Sequence, residues 1–516
     1  MSNAKRKEIL ILLLCLLVGF GLRFYTFDQK SLWTDEVYTL NDSRDNLKNQ
    51  IKFYKENPAY VHPPFFFILT HQFYPFTKPE RDLRITPLIF GTLSIPMIYL
   101  LAAQFSSAIA LPCTLSLTFM VYHMSLSQEA RFYSLLLFLG MSGLYFLMKH
   151  LKTSNRGYLI PAAFSFALSF YTSFTSIPFI VLLQIFWFYQ TDRDTKARSL
   201  GSFLFFNGLI LALCLPWILL LALNYNGQPV VGQLRGDGIP GSFFQVIYNV
   251  IQDWAPHVPL AILSIVLLIL FPIFSRVKKN ALILLAVFIL PIGGTYITCQ
   301  LFNIIHFVTS RYFINLLPPF LITLFLSIDA IEMKFRRSKT FGHLKLLFIF
   351  LLVASNVLII PLYYCSERQD LRGLVNYLKG QIHDGDKIIV ENLSYFSPIL
   401  HYFGAYPQNR QHLIPGRRIA GDEIEYGTGV IYRNIKFNII YSKSYCFQYF
   451  SDGSKLWIIA NRQNGKRLKE EYSCVLKGYF DGSFSYVPRF PTDASMYLFL
   501  RDPKSPDEKG IEMPFK

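Results

Sequence analysis

Charged residues are scarce in this chain. Only 16% of its 516 residues are Asp, Glu, Lys or Arg, whereas a soluble domain carries about a quarter. So little charge cannot cover a water-exposed surface of this size, and a hydrophobic fraction of 52% is far too high for a disordered chain. The composition therefore excludes both an ordinary cytosolic enzyme and an intrinsically disordered protein.

Cysteine is limited to seven residues, and none of them shows the C-x-x-C or Cys/His spacing of a zinc site. Four lie in apolar runs, where cysteine packs as a small apolar residue. A disulfide between Cys446 and Cys474 and a pair of free thiols there are equally compatible with the sequence.

What the chain has in abundance is long apolar segments. A membrane-spanning helix needs about 20 mostly apolar residues, and fewer where neighbouring helices shield it. By this measure the sequence predicts about eleven spans, at residues 8–22, 85–105, 109–125, 131–148, 158–171, 176–190, 201–223, 258–275, 281–300, 313–331 and 344–364.

The distribution of the net charge of +17 along the chain indicates the orientation in the membrane. If the N-terminus is cytoplasmic, the cytoplasmic turns contain 17 basic and four acidic residues, a net +13. This excess is the positive-inside pattern of membrane proteins. It also argues against nucleic-acid binding, because the basic residues fall in separate short turns.

We therefore predict a polytopic α-helical membrane protein with two parts. Residues 1–364 form the transmembrane domain, and residues 365–516 form a small α/β domain on the non-cytoplasmic face. In the second part, helix and strand patterns alternate. The predicted strands are 387–391, 438–442, 455–460 and 496–501, and the predicted helices are 370–379, 394–402 and 466–471.

The first outer loop, residues 23–84, is the longest between two spans. Residues 41–43 are of the helix-capping type, and Leu40, Leu47, Ile51 and Tyr54 share one helical face. Such a helix lies in the membrane interface rather than across it. Residues 65–76 are apolar but too short to span, so we predict a second interfacial helix there.

Polar and ionisable clusters recur where the predicted spans meet the outer interface. Charge at this boundary is costly unless it is solvated or paired, so each cluster is a candidate for function. Taken singly, Arg131 or Arg311 is equally well explained as a snorkelling side chain at a helix end. The clusters are WTDE at 33–36, HPPF at 62–65, SQEARFY at 127–133 and SRYF at 310–313, and three further short motifs, LRF at 22–24, RITPL at 84–88 and LPP at 317–319, accompany them.

In order and approximate spacing over residues 20–330, these clusters resemble the C-type glycosyltransferases (GT-C fold) of the protein O-mannosyltransferase and aminoarabinose-transferase kind. The α/β domain resembles the extracytoplasmic domain of bacterial members. The resemblance implies transfer of a sugar from a polyprenyl-phosphate carrier to a lipid, glycan or protein acceptor. It also implies a multi-pass protein of the bacterial inner membrane that works on the non-cytoplasmic face.

In that family the acid of the first outer loop is the catalytic carboxylate. It maps onto Asp35, with Glu36 beside it as the second catalytic candidate. Such a carboxylate can take a proton from the attacking acceptor or orient it. The lipid phosphate leaves with negative charge, which Arg131 and Arg311 can bind. Arg84, Tyr133 and Tyr312 are grouped with these arginines as substrate-binding candidates.

Two further candidates keep alternative roles. Glu129 can orient Arg131, join a metal site or bind sugar hydroxyls. His62 can support Asp35, coordinate a cation, or simply belong to a structural turn beside its two prolines. The second outer loop lacks an acidic-x-acidic metal motif, so the cofactor stays unknown, with a divalent cation left open. In a later outer loop, Asp253 and His257 offer a carboxylate and an imidazole for the same cavity, but an ordinary loop is the preferred interpretation.

Two other classes of function compete with this one. A transporter or flippase for a lipid-linked sugar would also use many spans, but it predicts an internal repeat and charges near mid-membrane. The sequence shows no such repeat, and its charged motifs lie at the outer interface. A receptor or structural protein acting through its C-terminal domain would make the outer motifs coincidental.

Overall fold

The structure is a computed structural model. It describes residues 3–60, 62–189, 199–225, 242–301, 310–335, 343–405, 416–419, 423–442, 455–472, 474–482, 495–502 and 509–511. By packing, the chain forms two compact units. The first comprises Met1–Phe27, Asp45–Pro75 and Arg84–Ile360, and the second comprises Asp28–Arg44, Phe76–Leu83 and Pro361–Lys516. The domain boundary between residues 364 and 365 was inferred from membrane topology and stays a prediction.

Helices make up nearly all of the described chain before residue 366. In order they are α1 (Asn3–Phe24), α2 (Thr34–Ser43), α3 (Leu47–Glu56), α4 (Phe65–His71), α5 (Pro79–Asp82), α6 (Ile85–Phe105), α7 (Ser107–Phe119), α8 (Val121–Ser127), α9 (Tyr133–Thr153), α10 (Leu159–Thr172), α11 (Ser176–Leu182), α12 (Leu200–Asn224), α13 (Phe243–Trp254), α14 (Val258–Phe274), α15 (Lys278–Leu301), α16 (Leu317–Lys334) and α17 (Leu344–Cys365). Short 3₁₀ segments cover Arg156–Tyr158, Leu183–Phe188 and Ser310–Leu316.

The apolar helices agree with a multi-pass membrane protein. Among the described residues, six helices are long and apolar enough to cross a membrane, or eight if each of two bent pairs counts as one span. The predicted number of eleven is not confirmed. Many large apolar side chains on these helices face outward, such as Leu223 at 81% and Leu358 at 73% exposure. Lipid is the solvent that such surfaces require.

The predicted span at 109–125 is in fact broken. Helices α7 and α8 meet at Met120 with a bend of 61°, and the break frees backbone groups inside the apolar unit. The guanidinium of Arg23 donates to the carbonyl oxygens of Leu117 (2.9 Å) and Thr118 (3.1 Å). Asn356 accepts from the Val121 amide at 2.9 Å. A broken helix is tolerated among apolar neighbours when its freed groups are satisfied in this way.

Arg23 is fully buried, and it also contacts Nδ1 of His123 at 2.8 Å. Replacing Arg23 with Leu should lower stability by about 3 kcal/mol or more, since two carbonyls lose a charged donor in a low-dielectric interior. The apparent melting temperature of the full chain in detergent measures this. Arg6→Leu is the matched control, because Arg6 is exposed on the same helix. Equal melting temperatures for the two variants would contradict the role of Arg23.

The break directs α8 toward α6, and a glycine allows them to pack closely. A Cβ built on Gly91 would lie 2.1 Å from Oγ of Ser127. Glycine is therefore required there for α6 to approach the end of α8. This contact fixes the backbone just before the motif residues 128–133.

The second unit contains a seven-stranded mixed sheet. Its strands are β1 (Lys387–Val390), β2 (Gly416–Ile419), β3 (Glu423–Tyr432), β4 (Ile435–Tyr441), β5 (Leu456–Ala460), β6 (Val475–Phe480) and β7 (Met496–Arg501), in the order β2-β3-β4-β1-β5-β7-β6. Central β1 runs parallel to β4 and β5, and the other neighbouring pairs are antiparallel.

The predicted elements of this unit are largely confirmed. Strands β1, β4, β5 and β7 coincide with the four predicted ones. The three predicted helices correspond to α18 (Leu371–Lys379), α19 (Leu393–Tyr402) and the helix Arg462–Tyr472. Strands β2, β3 and β6 were not predicted. Cys474, one partner of the candidate disulfide, is buried. The other partner, Cys446, lies outside the described residues, so the disulfide stays a prediction.

The segment of residues 23–84 differs in detail from its prediction. Residues 41–43 end α2 instead of capping the next helix, and Asn46 caps α3 by accepting from the Asn49 amide at 3.0 Å. The second helix, α4, ends at His71 rather than at residue 76. The sequence correctly predicted that this segment contains capped helices, but it misplaced the helix boundaries.

Candidate functional site

The two predicted catalytic acids begin α2 and differ in exposure. Glu36 is only 1% exposed, and its carboxylate accepts from the Trp33 amide at 3.3 Å, which caps the start of the helix. Asp35, the residue before it, is partly exposed. The positive end of the helix dipole favours the ionised carboxylate at this position. Asp35 is therefore the more accessible acid, while Glu36 already has a structural task.

The segment that carries these acids is held by the C-terminal part of its own unit. Its backbone and side chains contact residues that follow the last apolar helix. These contacts are the Ser31 amide donating to Glu367 (3.2 Å), the Leu32 amide donating to the Tyr402 hydroxyl (2.7 Å), and the Arg368 guanidinium 3.6 Å from the Trp33 ring centroid. Helix α2 also packs on α19. The α/β unit therefore positions the predicted catalytic segment.

The ionisation of Glu367 makes the stability of these contacts depend on pH. Burial, reinforced by nearby Asp370, raises the pKa of Glu367 to about 7. The folded form thus keeps a proton that the unfolded chain releases near the ordinary value of 4.5. Stability from this group is present at low pH and is lost as the pH rises from about 4.5 through 7. We expect Glu367→Gln to be about 1–3 kcal/mol more stable than the parent at pH 8.

Melting curves of both proteins between pH 4.5 and 8 test this prediction. The comparison must be between variant and parent at each pH, because burial also lowers the pKa of His401 to about 4. That histidine alone makes stability fall as the pH drops from 6.5 toward 4. The difference in melting temperature between Glu367→Gln and the parent should increase with pH. A difference that stays constant would contradict the role of Glu367.

In the first unit, Arg131 lies in the turn between α8 and α9. It is 4% exposed, and its guanidinium is 3.4 Å from Nε2 of His62 and 5.3 Å from the centroid of the Phe132 ring. The Arg131 amide also donates to the Glu129 carbonyl at 2.6 Å. His62 itself is held by the Tyr54 hydroxyl, which donates to its carbonyl at 2.5 Å. Three predicted site residues, His62, Glu129 and Arg131, thus come together.

Arg311, the second predicted phosphate-binding arginine, approaches the same group of residues from the 3₁₀ segment Ser310–Leu316. The Arg311 guanidinium is 5.8 Å from the ring centroid of Tyr133 and 5.6 Å from that of Tyr312. Tyr133 is buried and interacts electrostatically with Arg311, Arg131, Tyr312 and Glu129. Two cations from distant parts of the sequence therefore face one tyrosine.

The structure gives a specific role to two residues, Ser310 and Asp253, whose pairing the sequence did not predict. Ser310 donates a short hydrogen bond to the carboxylate of Asp253, and both side chains are buried. Asp253 therefore does not belong to an ordinary loop: it fixes the start of the segment that carries Arg311. In the sequence, Asp253 stands out as an acidic residue near the end of the amphipathic helix α13, but its partner Ser310 lies 57 residues away.

Two other motif residues support the backbone around the site. The Arg84 guanidinium donates to the Phe27 carbonyl at 3.0 Å and is buried. The Gln128 amide group donates to the carbonyls of Arg23 and Tyr25 at 2.8 and 2.7 Å, which satisfies the end of α1. Binding of substrate by Arg84 stays a prediction.

Within the described part of the chain, no group of three or more His, Cys, Asp or Glu residues is arranged to hold a metal ion. The Arg131–Arg311–Tyr133 cluster (Arg131, Arg311, Tyr133, Tyr312, His62 and Glu129) is suited to a different ligand. Two guanidinium groups in a low-dielectric setting can bind the oxygens of a phosphate group in bidentate fashion.

Comparison with known proteins shows a similarity in sequence over part of the chain and a similarity in fold. Residues 61–220 match the sequence profile of the dolichyl-phosphate-mannose-protein mannosyltransferase family. This range contains His62, Arg84 and the 127–133 motif. An oligosaccharyltransferase of Archaeoglobus fulgidus has the same fold, with a TM-score of 0.51 at 12% identity over 79% of this chain and 64% of that one. Residues 61–220 are thus similar to this mannosyltransferase family, and the fold is shared with the oligosaccharyltransferase.

The other structural similarities are weaker. ArnT from Cupriavidus metallidurans is similar at a TM-score of 0.49 in its apo state and 0.48 bound to undecaprenyl phosphate. Both are 12% identical in sequence; the matches cover 97% and 96% of this chain and 98% of each ArnT chain. A search of curated protein sequences gives no match. The resemblance inferred from the motifs is supported by the profile match over residues 61–220, and at the level of fold by the oligosaccharyltransferase.

Proposed function

We propose that this chain is a GT-C fold glycosyltransferase that moves a sugar from a polyprenyl-phosphate donor to an acceptor on the non-cytoplasmic face of the membrane. The observation that carries the proposal is the Arg131–Arg311–Tyr133 cluster. A donor of this class leaves as a lipid phosphate, so negative charge grows on its oxygens as the bond to the sugar breaks. Fixed guanidinium groups stabilise that charge without reorganising during the reaction.

Asp35 is the proposed catalytic carboxylate. The acceptor oxygen attacks the anomeric carbon, a new glycosidic bond forms, and the bond to the phosphate oxygen breaks. For a hydroxyl acceptor, the proton of that hydroxyl passes to the carboxylate of Asp35. The partial exposure of Asp35 and its place at a helix N-terminus support this role. Glu36 is proposed to keep α2 in place rather than to exchange protons.

His62 and Glu129 are proposed to orient Arg131. His62 approaches its guanidinium, and Glu129 binds its backbone within a tight turn. We propose that Tyr133 and Tyr312 line the cluster and limit how the phosphate enters between the arginines. The aromatic faces near Arg311 support this assignment.

The family name that matches residues 61–220 supports the donor class, since it describes transfer from dolichyl phosphate. For this chain we propose a polyprenyl-phosphate sugar as donor and a lipid, glycan or protein as acceptor. The net +13 of the predicted cytoplasmic turns supports a cytoplasmic N-terminus. The α2 segment and the α/β unit would then lie on the opposite face, in the bacterial cell membrane.

The function is tested by giving the purified full chain a set of polyprenyl-phosphate sugars with lipid, glycan and peptide acceptors. Transfer releases free polyprenyl phosphate, which chromatography and mass spectrometry measure together with the glycosylated acceptor. Proteoliposomes separate this from transport: movement of the intact lipid-linked sugar across the bilayer without transfer would favour a flippase and would contradict the proposal.

A further inference from the structure

A cavity of about 460 Å³ lies in the first unit, far along the sequence from the proposed site. It is formed where α14 ends, α15 begins and α16 ends. Part of its wall is apolar, with Phe271, Phe274 and Leu326, and Arg276 and Lys334 line it with exposed positive charge. The cavity thus combines an apolar wall with cationic groups.

The acidic residues near this cavity are already engaged. Lys345 pairs with Asp329 at 2.6 Å and with Glu332 at 3.7 Å, and its backbone amide also donates to Glu332. In the part of the chain that the structure describes, Arg276 has no acidic partner. Lys334 has its ammonium 4.7 Å from the ring centroid of Phe274. The cavity therefore keeps a net positive charge that an anion can neutralise.

Polar groups complete the lining. Ser275, Asn280 and Tyr189 contribute hydroxyl and amide groups beside the two cations. The cavity is at the ends of apolar helices, in the basic turns that the charge pattern assigns to the cytoplasmic side. In a membrane this is the level of the lipid headgroups, where basic pockets between helices bind anionic lipids.

We propose that this cavity binds an anionic phospholipid. Arg276 and Lys334 bind the phosphate, the polar groups contact the glycerol or headgroup hydroxyls, and the phenylalanines contact the acyl chains. The charge complementarity of the cavity and its apolar wall select a lipid over a soluble anion. This proposal is independent of the sugar transfer at the other site.

The test measures how lipids stabilise the full chain after it has been purified in detergent and washed free of lipid. The probes are dioctanoyl phosphatidylglycerol, dioctanoyl phosphatidylcholine and sodium phosphate, each titrated while the melting temperature is followed. We expect phosphatidylglycerol alone to raise it. Arg276→Gln with Lys334→Gln should raise the half-saturating phosphatidylglycerol concentration at least about tenfold.

The matched control is Lys278→Gln with Lys279→Gln, which removes the same charge from exposed residues of the same turn that do not line the cavity. It should respond to phosphatidylglycerol like the parent. An equal loss in both double variants, an equal effect of phosphatidylcholine, or full stabilisation by phosphate alone would overturn the proposal. If the Arg276/Lys334 double variant does not fold, native mass spectrometry of Arg276→Gln must show less bound phosphatidylglycerol than the parent, and equal retention overturns it.

Discussion

Replacing Asp35 with Asn should reduce sugar transfer by roughly a thousandfold or more while the protein stays folded. Asparagine has nearly the same shape as aspartate, but it carries no negative charge and does not take a proton from the acceptor. Asp35 is partly exposed, whereas the cap of α2 comes from the neighbouring Glu36. The substitution therefore removes the carboxylate that would take the proton and keeps the cap at the start of α2. Initial rates of polyprenyl phosphate release measure the effect.

Two controls separate catalysis from structure. Asp28→Asn makes the same chemical change at an exposed position of the same unit and should keep parental activity. Glu36→Gln retains an oxygen that accepts from the Trp33 amide, so we expect most activity and a small loss of stability. Parental activity in Asp35→Asn, with an unchanged melting temperature, would remove Asp35 from the mechanism. A severe kinetic loss in Glu36→Gln alone would transfer the catalytic role to Glu36.

The sequence was informative about structure where the physics is local. An apolar run must form a helix to satisfy its backbone in lipid, so most of the predicted spans coincide with helices. Strand β1 was visible as a short apolar run after a turn. The break at Met120 was not visible, because it depends on Arg23 and Asn356, which are distant in sequence and satisfy the freed backbone groups.

The same distinction applies to the candidate site. Arg131 and Arg311 were identified because charge is costly at a membrane boundary, wherever its partners are. Asp253 was assigned to an ordinary loop, because its contact with Ser310 is created only by the fold. Likewise, composition assigned the α2 segment to a membrane loop, whereas Leu32 and Trp33 are held by Tyr402 and Arg368 of the α/β unit.

This attachment gives the α/β unit a specific role. The sequence of this domain contains none of the motifs of a hydrolase, a nucleotide-binding protein or a metal site. Because it holds the segment before Asp35, we infer that it serves the reaction by positioning the catalytic helix. Changes in this unit, such as the ionisation of Glu367, should therefore affect activity as well as stability.

The second large effect is expected at the arginines. Arg131→Lys and Arg311→Lys each keep the positive charge but lose the planar fork that binds two phosphate oxygens. We expect each substitution to lower kcat/KM by about 10- to 100-fold, because a charge-assisted hydrogen bond is worth about 1.5–3 kcal/mol. Most of the loss should appear in kcat, since the negative charge on the phosphate is greatest as the donor leaves. Arg433→Lys, an exposed arginine of the second unit, is the control.

The double variant shows whether the two arginines act on one group. If both bind the same phosphate, their effects are coupled, and the loss in Arg131→Lys/Arg311→Lys should differ from the product of the single losses by a factor of about three or more. Independent effects would place the arginines on separate parts of the substrate. Parental kcat and KM in both single variants would contradict the leaving-group role, and with it the observation on which the proposed function rests.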